Sequence, residues 1–254
     1  MQKTCKLDKV FAFLDAQVQK RDTQNAISET NLDPLIVAKK YNDEYIALIC
    51  ALFSYGNVRS IVNFLRSLDF SLLKQDFSAI EQGLQNHRYR FQSAKDIIAL
   101  FHTLSILSKK EKLEDLFLQG YVQKNSILEG LHVSICALYD TNPYRSKGYE
   151  FLLSKPPTCT NKSTLKRWMM YLRWMVRKDC LDMGLWSKVQ TKDLLMPLDT
   201  HTFHIGQKLG LIKRKSYDFK AVLELTENLK KSNSEDPLIY DFALYKIGQE
   251  KIVF

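Results

Sequence analysis

The 254-residue sequence predicts an all-α protein. Apolar side chains recur at helical spacing along most of the chain, and no comparable alternating run of β-branched residues is found. Only 9 glycines and 6 prolines are present, which is few for a β-sandwich or a disordered chain. With 45% apolar residues, a chain of this length buries a substantial core without help from metals or disulfides.

Helices are predicted where apolar spacing meets residues that begin or end a helix. The first 22 residues form an amphipathic helix, in which Asp8 and Asp15 interrupt the apolar run that a signal peptide requires. Two helices over 43–68 are separated by a turn at 54–57, because Gly and Asn tolerate turn geometry. Further helices are predicted at 72–85, 93–107, 113–118, 126–138, 163–177, 200–209 (closed by Gly210), 216–231 (capped by Ser216 or Asp218) and around 241–245.

The strongest helix breakers are Asn-Pro-Tyr-Arg-Ser-Lys-Gly at 142–148 and Lys-Pro-Pro-Thr at 155–158. We therefore expect the chain to pass between two helical subdomains across residues 140–162. One subdomain is predicted to combine 1–44 with 151–254 and so to hold both termini, and the other is a helical bundle over 45–150. The active site is expected in the cleft between them.

Charge and cysteine content limit the class of protein. Lys and Arg number 37 and Asp and Glu 28, so the net charge of +9 favours a polyanionic partner, although charge alone does not identify one. The five cysteines are separated by wide, irregular gaps, so their spacing matches neither a disulfide framework nor a zinc-binding knuckle. Free cysteines suggest a reducing cytoplasm. No stretch approaches ~18 apolar residues, so no membrane span is predicted. We expect a cytoplasmic, nucleoid-associated monomer without metal or cofactor.

The segment 197–211, P-L-D-T-H-T-F-H-I-G-Q-K-L-G-L, places Asp199 at the start of a helix. The helix dipole and the free backbone N–H groups stabilise a negative charge there. Such a carboxylate can stabilise a positive charge that develops during a reaction and can help to move protons. The simpler alternative is that Asp199 is only an N-cap.

The segment 163–177, S-T-L-K-R-W-M-M-Y-L-R-W-M-V-R, is predicted to be a helix capped by Ser163 with Lys166 in its first turn. A lysine attacks only as the neutral amine, which apolar neighbours such as Trp168 and Met169 favour. In the alternative interpretation the apolar residues are core and the basic residues form a solvated face. That face would comprise Lys166, Arg167, Arg173 and Arg177.

Together the two segments resemble the helix-hairpin-helix DNA glycosylase superfamily. The first is similar to its V-D-T-H-v-x-R-v-x-x-R-L-G-L pattern, in which the Asp is catalytic, although His204 and Ile205 stand where the pattern often has Arg-Val. The resemblance gives Lys166 the position of the lysine that attacks the sugar C1′ in lyase-competent members. The separation of 33 residues between Lys166 and Asp199 is similar to that in archaeal-type 8-oxoguanine glycosylases.

The region before Lys166 departs from the superfamily because it lacks the glycine hairpin that approaches a DNA phosphate. Residues 156–162 read Pro-Pro-Thr-Cys-Thr-Asn-Lys instead, so the phosphate contact is expected from other backbone, the helix terminus at Ser163, or Lys162. Archaeal-type enzymes also have an atypical hairpin. The four-cysteine iron–sulfur loop of the superfamily is missing from the sequence, and no metal is implied.

The resemblance implies a bifunctional DNA glycosylase/AP lyase that excises an oxidised purine, 8-oxoguanine in the first place, from double-stranded DNA containing a damaged base. Lys166 would attack C1′ and form a Schiff base, and Asp199 would support that attack. Three alternatives stay open: a monofunctional glycosylase for alkylated bases, a non-catalytic DNA-binding helical protein, and a helical scaffold for protein interactions.

Further site residues follow from the need to extrude and hold a base. Asp241 and Tyr245 share a helix face at i, i+4; by resemblance Asp241 accepts hydrogen bonds from a purine edge while Tyr245 or Phe242 stacks on the ring, with Trp168 also near the base. Simple core packing is the alternative for Phe242.

DNA contacts are expected from the turn at Tyr55 and Asn57 and from the basic and aromatic segment at Arg88 and Arg90. The second of these resembles the family's Y-R-f/y-x-K-A segment. Further DNA contacts are expected from Lys162, Arg167 and His201. An ordinary interhelical turn and an Arg-rich loop over the core remain alternatives for the first two.

Overall fold

The computed structural model describes residues 2–21, 27–158 and 160–250, and of residues 2–6 only the backbone. Apart from two isolated β-bridges, the regular structure in these residues is helical, so the all-α prediction is confirmed. Thirteen α-helices are found there: α1 (Gln2–Arg21), α2 (Leu35–Tyr41), α3 (Glu44–Leu52), α4 (Val58–Ser67), α5 (Phe77–Leu84), α6 (Ala94–Ser108), α7 (Leu113–Tyr121), α8 (Ile127–Thr141), α9 (Lys147–Leu153), α10 (Lys166–Val176), α11 (Thr200–Lys208), α12 (Phe219–Lys230) and α13 (Asp241–Glu250). Short 3-10 helices lie at Phe70–Lys74, Thr191–Asp193 and Pro237–Tyr240. None of the described helices is long and apolar enough to cross a membrane.

The chain divides into two compact units. The terminal unit combines Met1–Ile27 with Asn161–Phe254, and the insert unit is Ser28–Thr160. These boundaries differ from the predicted 44/45 and 150/151, because α2 packs against α3 and α9 packs against α6. Both helices therefore belong with the insert unit, and the chain passes between the units closer to residues 28 and 161.

In the insert unit, α6 is the central helix and packs against α5, α8 and α9. Two glycines, Gly120 and Gly130, allow α7 and α8 to pack closely against each other. A Cβ on Gly120 would lie 2.2 Å from the carbonyl oxygen of Glu129, and one on Gly130 would lie 2.5 Å from the Phe117 ring. The two helices are therefore in direct backbone contact.

A buried carboxylate, Asp96, joins the start of α6 to the start of α9. It accepts hydrogen bonds from the Ser93 backbone N–H (2.7 Å), the Ser93 hydroxyl (2.8 Å) and the Tyr144 hydroxyl (2.9 Å), and also from the hydroxyl of Ser146. Ser93 and Ser146 are the N-caps of the two helices. Burial raises the pKa of Asp96, but these hydrogen bonds outweigh it and hold the pKa below its ordinary value.

In the terminal unit, α10 is the central helix, and its residues from Trp168 to Val176 are all buried. A helix that is covered on all sides belongs to the interior. Its last turn and C-cap bury Arg173 and Arg177 as well, so these two arginines do not form a solvated face. Only the first turn, at Lys166 and Arg167, is partly exposed.

Several helix ends follow the sequence closely. Asn57 caps α4 through its side chain, and Asp218 caps α12. Gly210 ends α11 with a left-handed φ of +76°, and the N–H of Leu211 bonds the carbonyl of Gly206 at 2.8 Å, which is the Schellman arrangement.

The start of α10 and the region before α5 differ from their predictions. Leu165, not Ser163, precedes the first helical residue, and its left-handed φ of +48° prevents the helix from beginning earlier. The Ser163 hydroxyl accepts a 3.3 Å hydrogen bond from the Leu165 N–H and thereby supports this bend. The single helix expected over 72–85 is divided, because Asp76 caps a new helix after the 3-10 turn.

Candidate active site

Lys166 and Asp199 lie together in the terminal unit at the starts of two helices. Lys166 is the first residue of α10, and Asp199 is the N-cap of α11. The Lys166 Nζ lies 3.9 Å from the Asp199 Oδ2, and the two side chains are 30% and 21% exposed. This distance is an ion pair but longer than a direct hydrogen bond. An amine and a carboxylate therefore share one solvent-accessible site.

The two carboxylate oxygens of Asp199 have different neighbours. Oδ1 accepts a 2.8 Å hydrogen bond from the backbone N–H of Thr202, and Oδ2 faces Lys166. The N-cap alternative thus describes one oxygen only. Because the cap holds the carboxylate in one orientation, the second oxygen is presented to the amine.

Tyr217 connects the backbone before both residues, and the sequence analysis missed it. Its hydroxyl donates a 2.8 Å hydrogen bond to the carbonyl of Leu198 and lies 3.3 Å from the Thr164 Oγ1. Its ring packs edge-on against Phe203, with 5.6 Å between centroids. Partial burial, with a further contribution from the Asp199 charge, raises the pKa of Tyr217, which is 41% exposed. A lone Tyr in a loop has no sequence signature, so only the fold identifies it.

A buried ion network anchors the far end of α10. Arg173 contacts Asp182 (Nε to Oδ1, 3.1 Å) and Asp241 (Nη1 to Oδ2, 2.5 Å). Arg177 contacts Asp182 (Nη1 to Oδ2, 2.5 Å) and Asp236 (Nε to Oδ1, 2.9 Å). Burial raises the pKa of Asp182 to about 6 in spite of the two guanidinium groups. The network ties α10 to the loop that follows it and to the start of α13.

Asp241 is buried and is already paired with Arg173. Burial raises its pKa; the charges of Arg173 and Lys166 act in the opposite direction, and that of Asp199 adds to the rise. Asp241 is therefore within electrostatic range of the Lys166–Asp199 pair. Its proposed contact with a purine edge stays a prediction, and it would require sharing or releasing Arg173.

The aromatic residues predicted to hold the base are more enclosed than expected. Trp168 is buried with its ring edge-on to Tyr171, 6.1 Å between centroids, and Phe242 is also buried. Tyr245 is half-buried, and the Lys246 Nζ lies 5.8 Å from its ring. Contact of Trp168 or Phe242 with a base would require that they become exposed, so Tyr245 is the most accessible of the three.

Three predicted DNA contacts lie in the terminal unit. Lys162 is exposed, and its carbonyl accepts a 3.0 Å hydrogen bond from the Phe219 N–H. Arg167 is half-buried next to Lys166 on α10. His201 is exposed in the first turn of α11, two residues after Asp199. Lys162 and His201 are therefore accessible to a phosphate.

Four other predicted DNA contacts lie in the insert unit. The Tyr55 hydroxyl donates to the Gln92 side chain, which holds its ring in place, and the Asn57 side chain is engaged as the cap of α4. Arg88 and Arg90 are exposed, and the Arg90 guanidinium lies 5.7 Å from the centre of the Tyr55 ring. Neither Tyr55 nor Asn57 has the free side chain expected of a wedge that enters DNA.

Comparison with known proteins yields one family. Residues 33–250 match the model of a family described as "Protein of unknown function (DUF2400)", and the match spans most of the chain. No curated protein matches the chain. No solved structure matches it either.

Proposed function

We propose that this chain, which belongs to the DUF2400 family, is a DNA glycosylase with AP lyase activity that excises an oxidised purine, 8-oxoguanine in the first place. The observation that carries the proposal is the 3.9 Å approach of the Lys166 Nζ to the Asp199 Oδ2. The two residues are far apart in the sequence and meet at two helix N-termini, where both side chains remain accessible. A neighbouring general base is one of the ways in which a nucleophile is activated.

In the proposed reaction the Lys166 ammonium first gives a proton to water, and the neutral amine then bonds to C1′ of the damaged nucleotide as the C1′–N9 bond breaks. The bonding pair leaves with the base, which takes up a proton from water. The Asp199 carboxylate stabilises the positive charge that develops on the sugar and accepts a proton from the attached amine. The C1′–O4′ bond then breaks, O4′ takes the proton held by Asp199, and an imine forms between Lys166 and C1′. Loss of a C2′ proton to water expels the 3′ phosphate by β-elimination and so cleaves the DNA strand.

The surroundings support this assignment of roles. Asp199 is held by its cap to Thr202, so its free oxygen needs no reorganisation to meet the amine. The central helix that carries Lys166 is anchored two turns later by the buried Arg173–Asp241 pair. A nucleophile on a rigid helix and a preoriented carboxylate are what proximity effects require.

Borohydride trapping tests the proposal directly. Reduction of the imine should link wild-type protein covalently to a duplex that contains 8-oxoguanine, and Lys166→Gln should abolish the adduct. Lys192→Gln is the matched control, because it removes another exposed lysine of the terminal unit, one with no predicted DNA contact, and leaves the amine at Lys166. An adduct that persists at wild-type yield in Lys166→Gln would exclude this residue as the nucleophile.

Asp199→Asn tests the second role. Asn is also a good N-cap, so the helix start should be kept while the charge is lost. We expect single-turnover base release to fall by about 100-fold or more, with the Kd for DNA unchanged. Asp218→Asn changes the N-cap of α12 in the same unit and is the control.

A panel of lesion-bearing duplexes separates the alternatives. Release of alkylated bases without an adduct would indicate a monofunctional glycosylase. Binding without release or nicking of any lesion would indicate a non-catalytic DNA-binding protein. A scaffold for protein interactions would show no salt-dependent affinity for DNA.

A further inference from the structure

Three aromatic rings form an exposed cluster on the insert unit. Phe151 lies edge-on to both Tyr55 and Phe91, with 4.8 Å between centroids in each pair, and Tyr55 and Phe91 are 6.0 Å apart. Phe91 is 56% exposed and Phe151 40%. Contiguous exposed aromatic rings of this kind usually mark a binding surface. We call these three residues the aromatic platform.

The turn that carries Phe91 is rigid. Tyr89 and Gln92 exchange backbone hydrogen bonds of 3.2 and 2.8 Å, so Arg90 and Phe91 form the tip of a two-residue turn. Arg90 has a φ of +53°, a left-handed conformation that residues other than Gly seldom adopt. Gln92 is buried and bonds the Tyr55 hydroxyl and the carbonyl of Gly148 (3.3 Å). These bonds hold the turn, and with it Phe91, in an outward position.

Positive charge accompanies the rings. The Arg90 guanidinium lies 5.7 Å from the centre of the Tyr55 ring, and Arg88 is exposed two residues earlier. Both arginines are exposed, so their guanidinium groups are accessible to an anionic ligand. Flat rings beside available guanidinium groups match a nucleobase flanked by phosphates, because bases stack on aromatic faces and phosphates pair with Arg. An apolar peptide would offer no anionic partner to the two guanidinium groups.

We propose that the aromatic platform stacks against an unpaired base of the damaged duplex, while Arg88 and Arg90 contact the adjacent phosphates. The inference rests on the proposed function, because extrusion of a damaged nucleotide leaves its opposite base without a partner. It assigns roles to Phe91 and Phe151. It also changes that of Tyr55, which supports the other two rings and does not enter the helix.

The test measures binding without catalysis. The probe is a duplex with a tetrahydrofuran abasic analogue opposite a normal base, which presents one unpaired base and has no base to release. Phe91→Ala and Phe151→Ala should each weaken its Kd, measured by fluorescence anisotropy, by about tenfold or more. The Kd of a fully paired duplex should change less than about twofold, and Phe91→Trp should retain affinity for the abasic duplex because its ring still stacks.

Phe77→Ala is the matched control. Phe77 is 46% exposed in the same unit, but its neighbour is the His102 ring, at 4.7 Å between centroids, and it is not part of the platform. Its loss should leave both Kd values unchanged. Equal weakening by all three Ala variants would overturn the proposal, as would platform variants that bind both duplexes like the wild type.

The outcomes separate this inference from the glycosylase proposal. If wild-type protein forms no adduct with 8-oxoguanine DNA but prefers the abasic duplex through Phe91 and Phe151, the platform stands and the glycosylase proposal fails. If the adduct forms and the Phe variants bind the abasic duplex like wild type, the platform alone fails. Sedimentation that shows wild-type self-association abolished in Phe91→Ala, with unchanged DNA binding, would identify a second copy of the chain as the occupant and overturn the inference.

Discussion

Asp199 uses its two carboxylate oxygens for different neighbours, the backbone N–H of Thr202 and the amine of Lys166. One residue therefore both caps α11 and contacts the amine of Lys166. The sequence pattern around 199 identifies the residue, and it predicts the helix start as well. It does not show which oxygen is free, because that depends on where a lysine 33 positions earlier is placed by the fold.

The positioning role that we expect of Tyr217 depends on contacts that only the folded chain brings together. Tyr217→Phe keeps the ring against Phe203 and removes the hydroxyl that bonds the carbonyl of Leu198 at 2.8 Å. Since this bond holds the backbone just before Asp199, we expect single-turnover base release to slow by roughly 10- to 100-fold with the Kd for DNA unchanged. The measurement is quenched-flow base release with enzyme in excess.

The control for Tyr217→Phe is Tyr45→Phe. The Tyr45 hydroxyl also donates to a backbone carbonyl at 2.8 Å, that of Glu111, but in the insert unit. Base release should therefore be slower in Tyr217→Phe and should keep the wild-type rate in Tyr45→Phe. Equal rates for Tyr217→Phe and wild type would show that the hydroxyl has no positioning role.

At the scale of the elements, Asp96 joins two helix starts through one buried carboxylate. Asp96→Asn replaces an acceptor by a donor facing Ser93 and Tyr144, and should lower the free energy of unfolding at pH 7 by about 1–3 kcal/mol. The folded-state pKa lies below the ordinary value of 3.8, so this stabilisation is full above that value and is lost as the pH falls through the folded-state pKa. The difference between variant and wild type should therefore narrow below about pH 4.

Urea unfolding between pH 7 and pH 3 measures this difference. Asp76→Asn is the control, because Asp76 is an exposed N-cap of α5 and Asn caps helices equally well. It should change the unfolding free energy by less than about 0.5 kcal/mol. A deficit in Asp96→Asn that stays constant over the pH range would show that ionisation of Asp96 is not its source.

The α7–α8 hairpin gives a prediction about packing. In Gly120→Ala the new Cβ would lie 2.2 Å from the carbonyl oxygen of Glu129. This oxygen belongs to the backbone of α8, which cannot move aside as a flexible side chain can. We expect a loss of about 1–3 kcal/mol in the free energy of unfolding. Gly83→Ala is the control: its Cβ meets only the flexible Leu72 side chain, and Ala favours α5 by up to about 1 kcal/mol. Calorimetry should show a Tm below that of the wild type for Gly120→Ala but not for Gly83→Ala.

At the scale of the whole molecule, the positive charge is unevenly distributed. The terminal unit has 22 basic and 14 acidic residues, whereas the insert unit has 15 and 14. The excess therefore belongs to the unit that carries Lys166 and Asp199. Salt-dependent attraction to DNA is expected to depend mainly on this unit.

The exposed lysines Lys213 and Lys215, in the loop before Tyr217, test this expectation. Replacing each by Gln should reduce the slope of log Kd against log salt by about 0.9 for each phosphate that the variant no longer neutralises. The control pair is Lys109 and Lys110, which are exposed in the insert unit and should leave the slope unchanged. Binding of a paired duplex between about 50 and 300 mM salt, a range over which screening changes strongly, supplies the slopes. An equal reduction of the slope in both pairs would contradict a dominant role of the terminal unit.

The sequence by itself determined the all-α class, the break at 54–57, a cap at Ser216 or Asp218, and the glycine that ends α11, because each depends on residues a few positions apart. It also singled out Lys166 and Asp199. Only the tertiary structure decided that these two lie 3.9 Å apart, that Arg173 and Arg177 are buried with carboxylates, and that the units divide near 28 and 161. Pairing and burial depend on contacts between distant parts of the chain, which local helical spacing does not encode.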